Sequence, residues 1–425
     1  MNYTIFNLAK KSRVALLIKF GGLSSSLILT ALISRELGLI SLGQFNFFNQ
    51  TISIASVISI FGINSQTSKR FPILLKRKIY NALKAYLINI LCTVFVFSSI
   101  LGTALILLLF QYNNLNLDST SIVLIGMNVV PTALSLICSF ILISFGKIWQ
   151  SALTKQGIIQ IIGLLGTIIL IKTNFLSLNI ILSLILILRI ILCVWMIFFI
   201  STIVSLDLKK LNLNIISKLV VVSAPLAMTA IITIVQNNWE SFVIPGNFGI
   251  LEFSYYSTAS RLVFTLSIFL AILNASIVKV VSTNLHTSSL SLIKTQKILT
   301  LHSRRLTVIG ISFLIIMLLF GRTILNLWGV GNSQAYFILI TLSIGQLANL
   351  LTGGSGQILI ISGNTLGLMK IKAVEFIILI SSTVLFIDYL GLIGLALSSV
   401  LSTSVSNFAM VFHAFRKTKL KALPF

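Results

Sequence analysis

Arg261 is the residue whose type and position most clearly indicate chemistry in this chain. It lies about eleven residues into the helix predicted from an apolar run over 253–278, near the middle of a membrane at about 1.5 Å per residue. A guanidinium donates paired hydrogen bonds to planar anions, and a charge at membrane depth normally faces a cavity or a partner. Hydroxyl side chains at three- and four-residue spacing share its helix face: Ser254, Ser257, Thr258 and Thr265. We therefore expect Arg261 to line a polar cavity.

Lys19, Arg189 and Glu240 are further ionisable residues within apolar runs. Lys19 lies near the end of the first run, so it either snorkels to the inner interface or faces a cavity. Arg189 lies deeper, in the sixth run, and either pairs with a neighbouring helix or lines a cavity. Glu240 lies near the end of the seventh run, either in the outer headgroup region or at a cavity. The sequence leaves these alternatives open.

Polar side chains follow helical spacing in three more runs, and each set falls on one face of its helix. The sets are Lys19, Gly22, Ser26 and Thr30 in the first run; Asn46, Asn49, Gln50 and Ser53 in the second; and Thr229, Thr233, Gln236 and Glu240, beside Asn237, in the seventh. Together with the Arg261 face, these sets are explained most simply by a polar cleft between two halves of the chain.

The elements that must position these residues are apolar runs, most of them close to the roughly 20 residues of a membrane helix. The runs cover 14–34, 44–64, 85–110, 121–146, 157–171, 179–204, 219–244, 253–278, 306–321, 335–362, 371–387 and 391–413. The chain has 425 residues, is 57% hydrophobic and 9% charged, and has a mean hydropathy of +1.07. These values predict an all-α polytopic membrane protein of about twelve helices. They also exclude a soluble nucleic-acid binder, despite a net charge of +24.

Lysine and arginine cluster in alternate gaps between the runs. Of the 31 cations, 25 lie in one set of gaps, three lie in the opposite set and three lie inside runs. By the positive-inside rule, the cation-rich gaps and both termini face the cytoplasm. The apolar run after the basic N-terminal segment is too long for a cleaved signal sequence, so we expect the first helix to be retained.

An internal repeat is indicated by two short segments about half the chain apart. Gly38-Leu-Ile-Ser-Leu-Gly43-Gln-Phe resembles Gly249-Ile-Leu-Glu-Phe-Ser254-Tyr-Tyr, and each segment opens an even-numbered run on the outer side. Equivalent positions in the topology predict two six-helix lobes, 1–210 and 211–425, in the same orientation.

Motifs for catalysis or metal binding are absent from the sequence. It has no G-x-x-x-x-G-K-[ST] phosphate loop and no H-E-x-x-H zinc motif. His286, His302 and His413 lie too far apart for a metal-ligand pattern, and the three cysteines lie inside apolar runs. We therefore expect no catalytic residue, no cofactor and no metal.

The architecture and the two repeat segments resemble the polysaccharide-transporter branch of the MATE-like flippases, the MOP superfamily, whose standard members are Wzx-type O-antigen flippases. The segments match the family's LG-x-x-x-x-G-x-[YF] pattern, and an A-x-R-L sequence that ends in Arg261 and Leu262 follows the second one. That second copy has Ser254 where the pattern has glycine.

The resemblance implies a flippase in the bacterial inner membrane, with two lobes around a central cleft. Its substrate would be an undecaprenyl-diphosphate-linked oligosaccharide, moved to the outer leaflet by alternating access and coupled to a proton or sodium gradient. A polysaccharide polymerase and a chain-length regulator would be protein partners. For such a substrate, the chemistry of the polar residues within the runs suggests the contacts. We expect head-group contacts from Arg261, Lys19 and Arg189, a proton-coupling carboxylate in Glu240, and sugar contacts from Asn237, Asn238, Asn49, Gln50, Trp239 and Tyr255.

Three rival functions remain. A multidrug exporter of the same superfamily shares the helix count, although cationic drugs favour buried carboxylates and the mid-membrane charges here are mainly positive. A membrane O-antigen polymerase normally has a large outer loop, which this topology lacks. A small-solute transporter of another twelve-helix fold is disfavoured mainly by the repeat.

Overall fold

The computed structural model describes residues 2–111, 117–153, 157–267, 269–270, 274, 281 and 289–424. These residues are helical almost throughout and include no strand. A lipid core offers no partner for backbone N–H and C=O groups, so apolar runs of this length satisfy those groups within helices. The predicted fold class, an all-α polytopic membrane protein, is confirmed.

The described residues form two compact units, Met1–Ser241 and Phe242–Phe425. The first unit contains α1 (Asn2–Ile60), α2 (Ile63–Lys76), α3 (Tyr80–Gln111), α4 (Ser119–Ser144), α5 (Ile148–Ala152), α6 (Ile158–Lys172), α7 (Leu178–Ile203) and α8 (Leu213–Asn237). Helix α9 (Trp239–Asn247) begins at the end of this unit. The second unit contains α10 (Ile250–Phe264), α11 (Ser289–Asn326), α12 (Ser333–Leu351), α13 (Ser355–Ile361) and α14 (Thr365–Thr418).

Two of the helices are long enough to cross a lipid core twice. The apolar part of α1 has 44 residues and α14 has 54, or about 66 and 81 Å at 1.5 Å per residue, against a lipid core of about 30 Å. Each is interrupted by one residue with non-helical dihedral angles, Gly38 in α1 and Gly391 in α14. Each therefore supplies two spans, as the adjacent predicted runs require.

The glycines that open the two repeat segments share an unusual backbone conformation. Gly38 has φ 86° and ψ 171°, and Gly249 has φ 104° and ψ 175°. This region is open almost exclusively to glycine, because a Cβ atom would clash with the backbone. The same conformation at both positions is what an internal repeat predicts.

The described helices cover all or part of each of the twelve predicted runs, and the total of twelve spans stays a prediction. Seven helices are long and apolar enough to cross a membrane, or eight if the bent α8 counts as one span. The fifth and eighth runs correspond to the shorter helices α6 and α10. Residues 268, 271–273 and 275–278 of the eighth run lie outside the described residues.

Helix α8 packs within the first unit, against α1, α2 and α3. It bends by 55° between its halves Leu213–Ala224 and Leu226–Asn237, because the proline between them cannot donate a helix hydrogen bond. At Gly62 the backbone approaches α8 so closely that a Cβ atom would lie 2.6 Å from the Ala227 nitrogen. The boundary between the two compact units therefore falls after α8. The predicted lobes, 1–210 and 211–425, are defined by a sequence repeat instead, and the boundary between them stays a prediction.

Apolar side chains form the interior of each unit. In the first unit, Phe71 is fully buried between the rings of Tyr86 and Phe145, at centroid distances of 5.6 and 5.7 Å. In the second unit, Leu306 and Leu350 bring α11 and α12 together. These cores hold the helices on which the candidate site residues lie.

Candidate functional site

Arg189 is the centre of a polar network in the first unit. The side chain extends from α7, is 9% exposed and donates from Nη1 to Asn128 Oδ1 of α4 at 2.8 Å. Its Nη2 donates to Asn49 Oδ1 of α1 at 3.2 Å. The sequence offered no partner for Arg189 among its neighbours in the chain, and the structure supplies two from other helices.

The two amide groups are oriented to accept from Arg189. Asn128 donates its own NH₂ group to the Leu124 carbonyl at 2.8 Å, and Asn49 donates its NH₂ group to the Phe45 carbonyl at 3.0 Å. Each amide oxygen is thereby turned away from its own helix and towards the guanidinium. A buried charge held by hydrogen bonds in this way joins three helices without a carboxylate.

Gln50 and Glu240 lie at a second polar junction of the first unit. Ser241 donates a hydrogen bond to the side-chain oxygen of Gln50, which connects the start of α9 to α1. Glu240 is 7% exposed and lies in the first turn of α9, where the free N–H groups of a helix favour a negative charge. The buried Glu240 carboxylate therefore belongs to the residue just before Ser241, which makes the contact between α9 and α1.

The predicted sugar contacts next to Glu240 lie where α8 gives way to α9. Asn238 has non-helical dihedral angles, φ −129° and ψ 28°, and its NH₂ group donates to the Ile234 carbonyl at 2.8 Å. Asn237 is exposed and Trp239 is partly buried. These four consecutive residues, 237–240, therefore lie at the break between α8 and α9.

Arg261 has a different environment in the second unit. It lies on α10 and is partly buried, and its Nη1 atom is buried without a hydrogen-bond partner among the described residues. A buried donor that makes no hydrogen bond costs about 1–3 kcal/mol, and more when it carries charge. Arg261 therefore has at least one side-chain donor, Nη1, that the described residues of its own unit leave without an acceptor.

The hydroxyl side chains on the Arg261 face bond to their own helix. Ser254 donates to the Leu251 carbonyl at 2.6 Å, and Thr258 donates to the Ser254 carbonyl at 2.8 Å. Both are buried, and α10 as a whole packs on α12. The predicted polar stripe is therefore largely a packing surface, and Tyr255 beside it is partly buried.

Lys19 takes no described part in the Arg189 network. It is exposed on α1, in keeping with the snorkelling alternative, while Asn49 of the same helix lies at the network. The ligand contacts predicted for Lys19, Arg189 and Arg261 stay predictions.

Sequence reasoning missed a buried carboxylate in the second unit. Glu375 of α14 is 4% exposed, and its Oε2 atom accepts from Lys372 Nζ at 2.6 Å and from Ser406 Oγ at 2.7 Å. The residue after Ser406, Asn407, donates to Asn349 of α12 at 3.2 Å. The signal that could have found this group is the acidic residue inside the eleventh run, three positions after a lysine.

A metal site is not formed by the described side chains, because no three His, Cys, Asp or Glu residues among them lie together. The absence of a metal and of a cofactor from the protein's function stays a prediction.

Solved structures of membrane transporters share this architecture. A multidrug resistance MATE family transporter of the MOP superfamily, in an inward-facing conformation, matches with a TM-score of 0.69 and 13% identity, over 96% of this chain and 98% of that one. The lipid II flippase MurJ, in an inward closed conformation, matches with a TM-score of 0.73 and 16% identity, over 94% of this chain and 87% of that one.

This chain has the fold of these transporters. The Vibrio cholerae MATE transporter VcmN in its bent form also matches, with a TM-score of 0.60 and 14% identity over 97% of both chains. No protein-family model and no curated protein sequence matches the chain. The MATE-like part of the fold prediction is confirmed, and the chain is a multi-pass membrane protein.

Proposed function

We propose that this protein is a flippase for an undecaprenyl-diphosphate-linked oligosaccharide, which it moves from the cytoplasmic to the outer leaflet by alternating access. The observation that carries the proposal is the buried Nη1 atom of Arg261, which has no acceptor among the described residues. A diphosphate offers several charged oxygens, and guanidinium binds such groups through short, charge-assisted hydrogen bonds.

The charges within the spans support an anionic rather than a cationic substrate. Arg261 and Arg189 lie at membrane depth, whereas the carboxylate of Glu375 is already matched by Lys372. A transporter of cationic drugs would need an unmatched carboxylate in its cleft. Glu240 is the residue that keeps a drug exporter as the second candidate, because it is buried and makes no salt bridge among the described residues.

The remaining parts of the proposal concern energy, location and partners. Coupling to a proton or sodium gradient would use Glu240 as the titrating carboxylate. The protein would lie in the bacterial inner membrane with both termini in the cytoplasm, as the cation distribution requires. Asn237, Asn238, Trp239 and Tyr255 would contact sugars, and a polymerase and a chain-length regulator would act on the product.

The test is a deletion strain assayed for lipid-linked oligosaccharide. The expected result is accumulation of the complete oligosaccharide on undecaprenyl diphosphate in the cytoplasmic leaflet. The wild-type gene should restore export, and Arg261→Ala should not. The matched control is Arg322→Ala, which removes an exposed arginine. Its guanidinium carbon lies 5.1 Å from the centroid of the Tyr336 ring. Unchanged oligosaccharide with increased drug sensitivity would overturn the proposal in favour of an exporter.

A further inference from the structure

An open cavity of about 600 Å³ lies in the second unit, at the cation-rich end of α11. Three cations line it, Lys297, Arg304 and Lys419, together with the apolar side chains of Ile293, Leu301 and Leu420. Neither Asp nor Glu is among the described residues that line it. The cavity therefore combines a positive rim with an apolar wall.

The position of the cavity along α11 places it at a membrane interface. The helix that carries the candidate span covers Ile293–Asn326, and its predicted apolar run, 306–321, follows the cavity residues. Ile293, Lys297, Leu301 and Arg304 follow three- and four-residue spacing, so they share one face of α11 at the end of the span. Residues at such a position meet lipid headgroups on one side and acyl chains on the other.

The other wall is built by the last residues of the chain, which dock onto α11. The Gln296 side chain donates to the Lys421 carbonyl at 2.9 Å and accepts from the Lys421 N–H at 2.8 Å. Arg304 Nε donates to the Pro424 carbonyl at 2.8 Å. Leu420 is 2% exposed within the core of the unit. The cavity is therefore preformed by the folded chain.

Lys419 has a strained backbone at the point where the chain turns back. Its φ is 60° and its ψ is 11°, the left-handed conformation that glycine or asparagine adopts more readily. At the end of a helix this conformation is a common way to stop the helix, and here the Lys419 N–H donates to the Phe415 carbonyl at 2.9 Å. Here the turn sets the side chain of Lys419 on the rim of the cavity.

We propose that this cavity binds the phosphate headgroup of an anionic membrane phospholipid. The ammonium and guanidinium groups would hold the phosphate, and an acyl chain would lie along the exposed side chains of Ile293 and Leu301. Anionic lipids are concentrated in the cytoplasmic leaflet, which is the side that the cation distribution assigns to this end of α11. The proposal is independent of the substrate that the protein transports.

General attraction of surface cations to lipid does not by itself explain this arrangement. Lys294 and Lys417 are exposed on the same helix ends, yet neither lines the cavity. They therefore provide matched controls, because each carries the same charge as a cavity lysine a few residues away. A specific site predicts unequal effects within the pairs Lys297 and Lys294, and Lys419 and Lys417.

The experiment measures lipid binding to the purified full-length protein by native mass spectrometry, with phosphatidylglycerol and phosphatidylcholine as probes. We expect at least tenfold tighter binding of phosphatidylglycerol. Lys297→Gln and Lys419→Asn should each weaken it about fivefold, the effect of one cation near an anionic lipid surface. Lys294→Gln and Lys417→Gln should change it less than twofold.

Three results would overturn the proposal: equal binding of the two lipids, equal losses in cavity and control variants, or displacement of phosphatidylglycerol by an equal concentration of inorganic phosphate. The last result would assign the cavity to free phosphate. Both cavity variants should fold, since Lys297 is exposed and Lys419→Asn places a residue that adopts the left-handed conformation more readily. An unchanged melting temperature checks this.

Discussion

The two compact units share a backbone feature but differ in the chemistry of their buried arginines. Gly38 in the first unit and Gly249 in the second have the same glycine-specific conformation before a membrane helix. Arg189, however, donates to Asn128 and Asn49, whereas Nη1 of Arg261 has no acceptor among the described residues. The two units thus have the same glycine conformation before a membrane helix, while their buried arginines differ in the hydrogen bonds they make.

This difference separates a stabilising arginine from one that can bind a ligand. Arg189 has its charge solvated by amide oxygens of its own unit, so a ligand would have to compete with them. Under the proposed function, Arg261 would gain hydrogen bonds on binding an anion, and that gain would offset the cost of its buried donor. Each of the following experiments can break or sharpen this contrast.

The largest effect is expected for Arg261→Ala, which should lower transport about 100-fold, the loss of roughly two charge-assisted hydrogen bonds. The melting temperature in detergent should stay the same or rise, because a poorly satisfied buried charge is removed. The measurement is export of lipid-linked oligosaccharide per folded molecule, with Arg322→Ala as the control. A lower melting temperature with normal transport would make Arg261 structural and erase the contrast.

A smaller effect, on stability, is expected in the first unit. Asn128→Leu should destabilise the protein by about 2 kcal/mol, since it leaves the buried guanidinium short of an acceptor. Asn49→Leu should cost less, because its bond to Arg189 is 3.2 Å rather than 2.8 Å long. Unfolding in detergent measures both changes.

The double variant Arg189→Leu with Asn128→Leu tests whether the two residues act together. It should recover part of the stability lost in the single variants, because both partners are then apolar. Additive losses would show that Arg189 is held by something other than Asn128.

The shared turn should be equally sensitive in the two units. Gly38→Ala is expected to cost about 1 kcal/mol from backbone strain alone, because a Cβ atom there would meet nothing within 4 Å. Gly249→Ala should cost a similar amount, because its Cβ would meet only the flexible side chain of Glu252, at 3.2 Å. Gly163→Ala is the control, since its Cβ would also meet nothing within 4 Å and its helical backbone favours alanine. Unequal costs at Gly38 and Gly249 would weaken the repeat.

The smallest effect is expected for Lys19→Gln. The side chain is exposed on α1, and exposed charges contribute about 1 kcal/mol or less. Transport should therefore change less than about twofold. A loss of transport as large as that of Arg261→Ala would place Lys19 in the substrate site. The substrate would then be bound by two cations, Lys19 and Arg261, rather than by Arg261 alone.

The fold was largely predictable from the sequence because its determinants are local. Apolar runs of membrane length, single glycines between them and the proline at the bend of α8 all act on nearby backbone. The turns at Gly38 and Gly249 could be identified for the same reason.

The site was less predictable because its contacts join distant parts of the chain. Asn128 and Asn49 lie 61 and 140 residues from Arg189, and no local pattern selects them from the other amides. Ser406 lies 31 residues from Glu375, across the interruption of α14. Helical spacing identified which residues share a face, but it did not identify what each face meets.

The glycine interruptions also bear on how the chain enters the membrane. Gly38 and Gly391 each join two helical segments through one non-helical residue, so the charges at the joints are limited to Arg35 and Glu36 in the first pair and Asp388 in the second. Moving a charged residue into a bilayer during insertion costs about 2.5–3.5 kcal/mol, and short joints keep that cost small. Such helix pairs can be inserted as preformed hairpins, with their orientation set by the lysines and arginines that remain behind at the opposite ends.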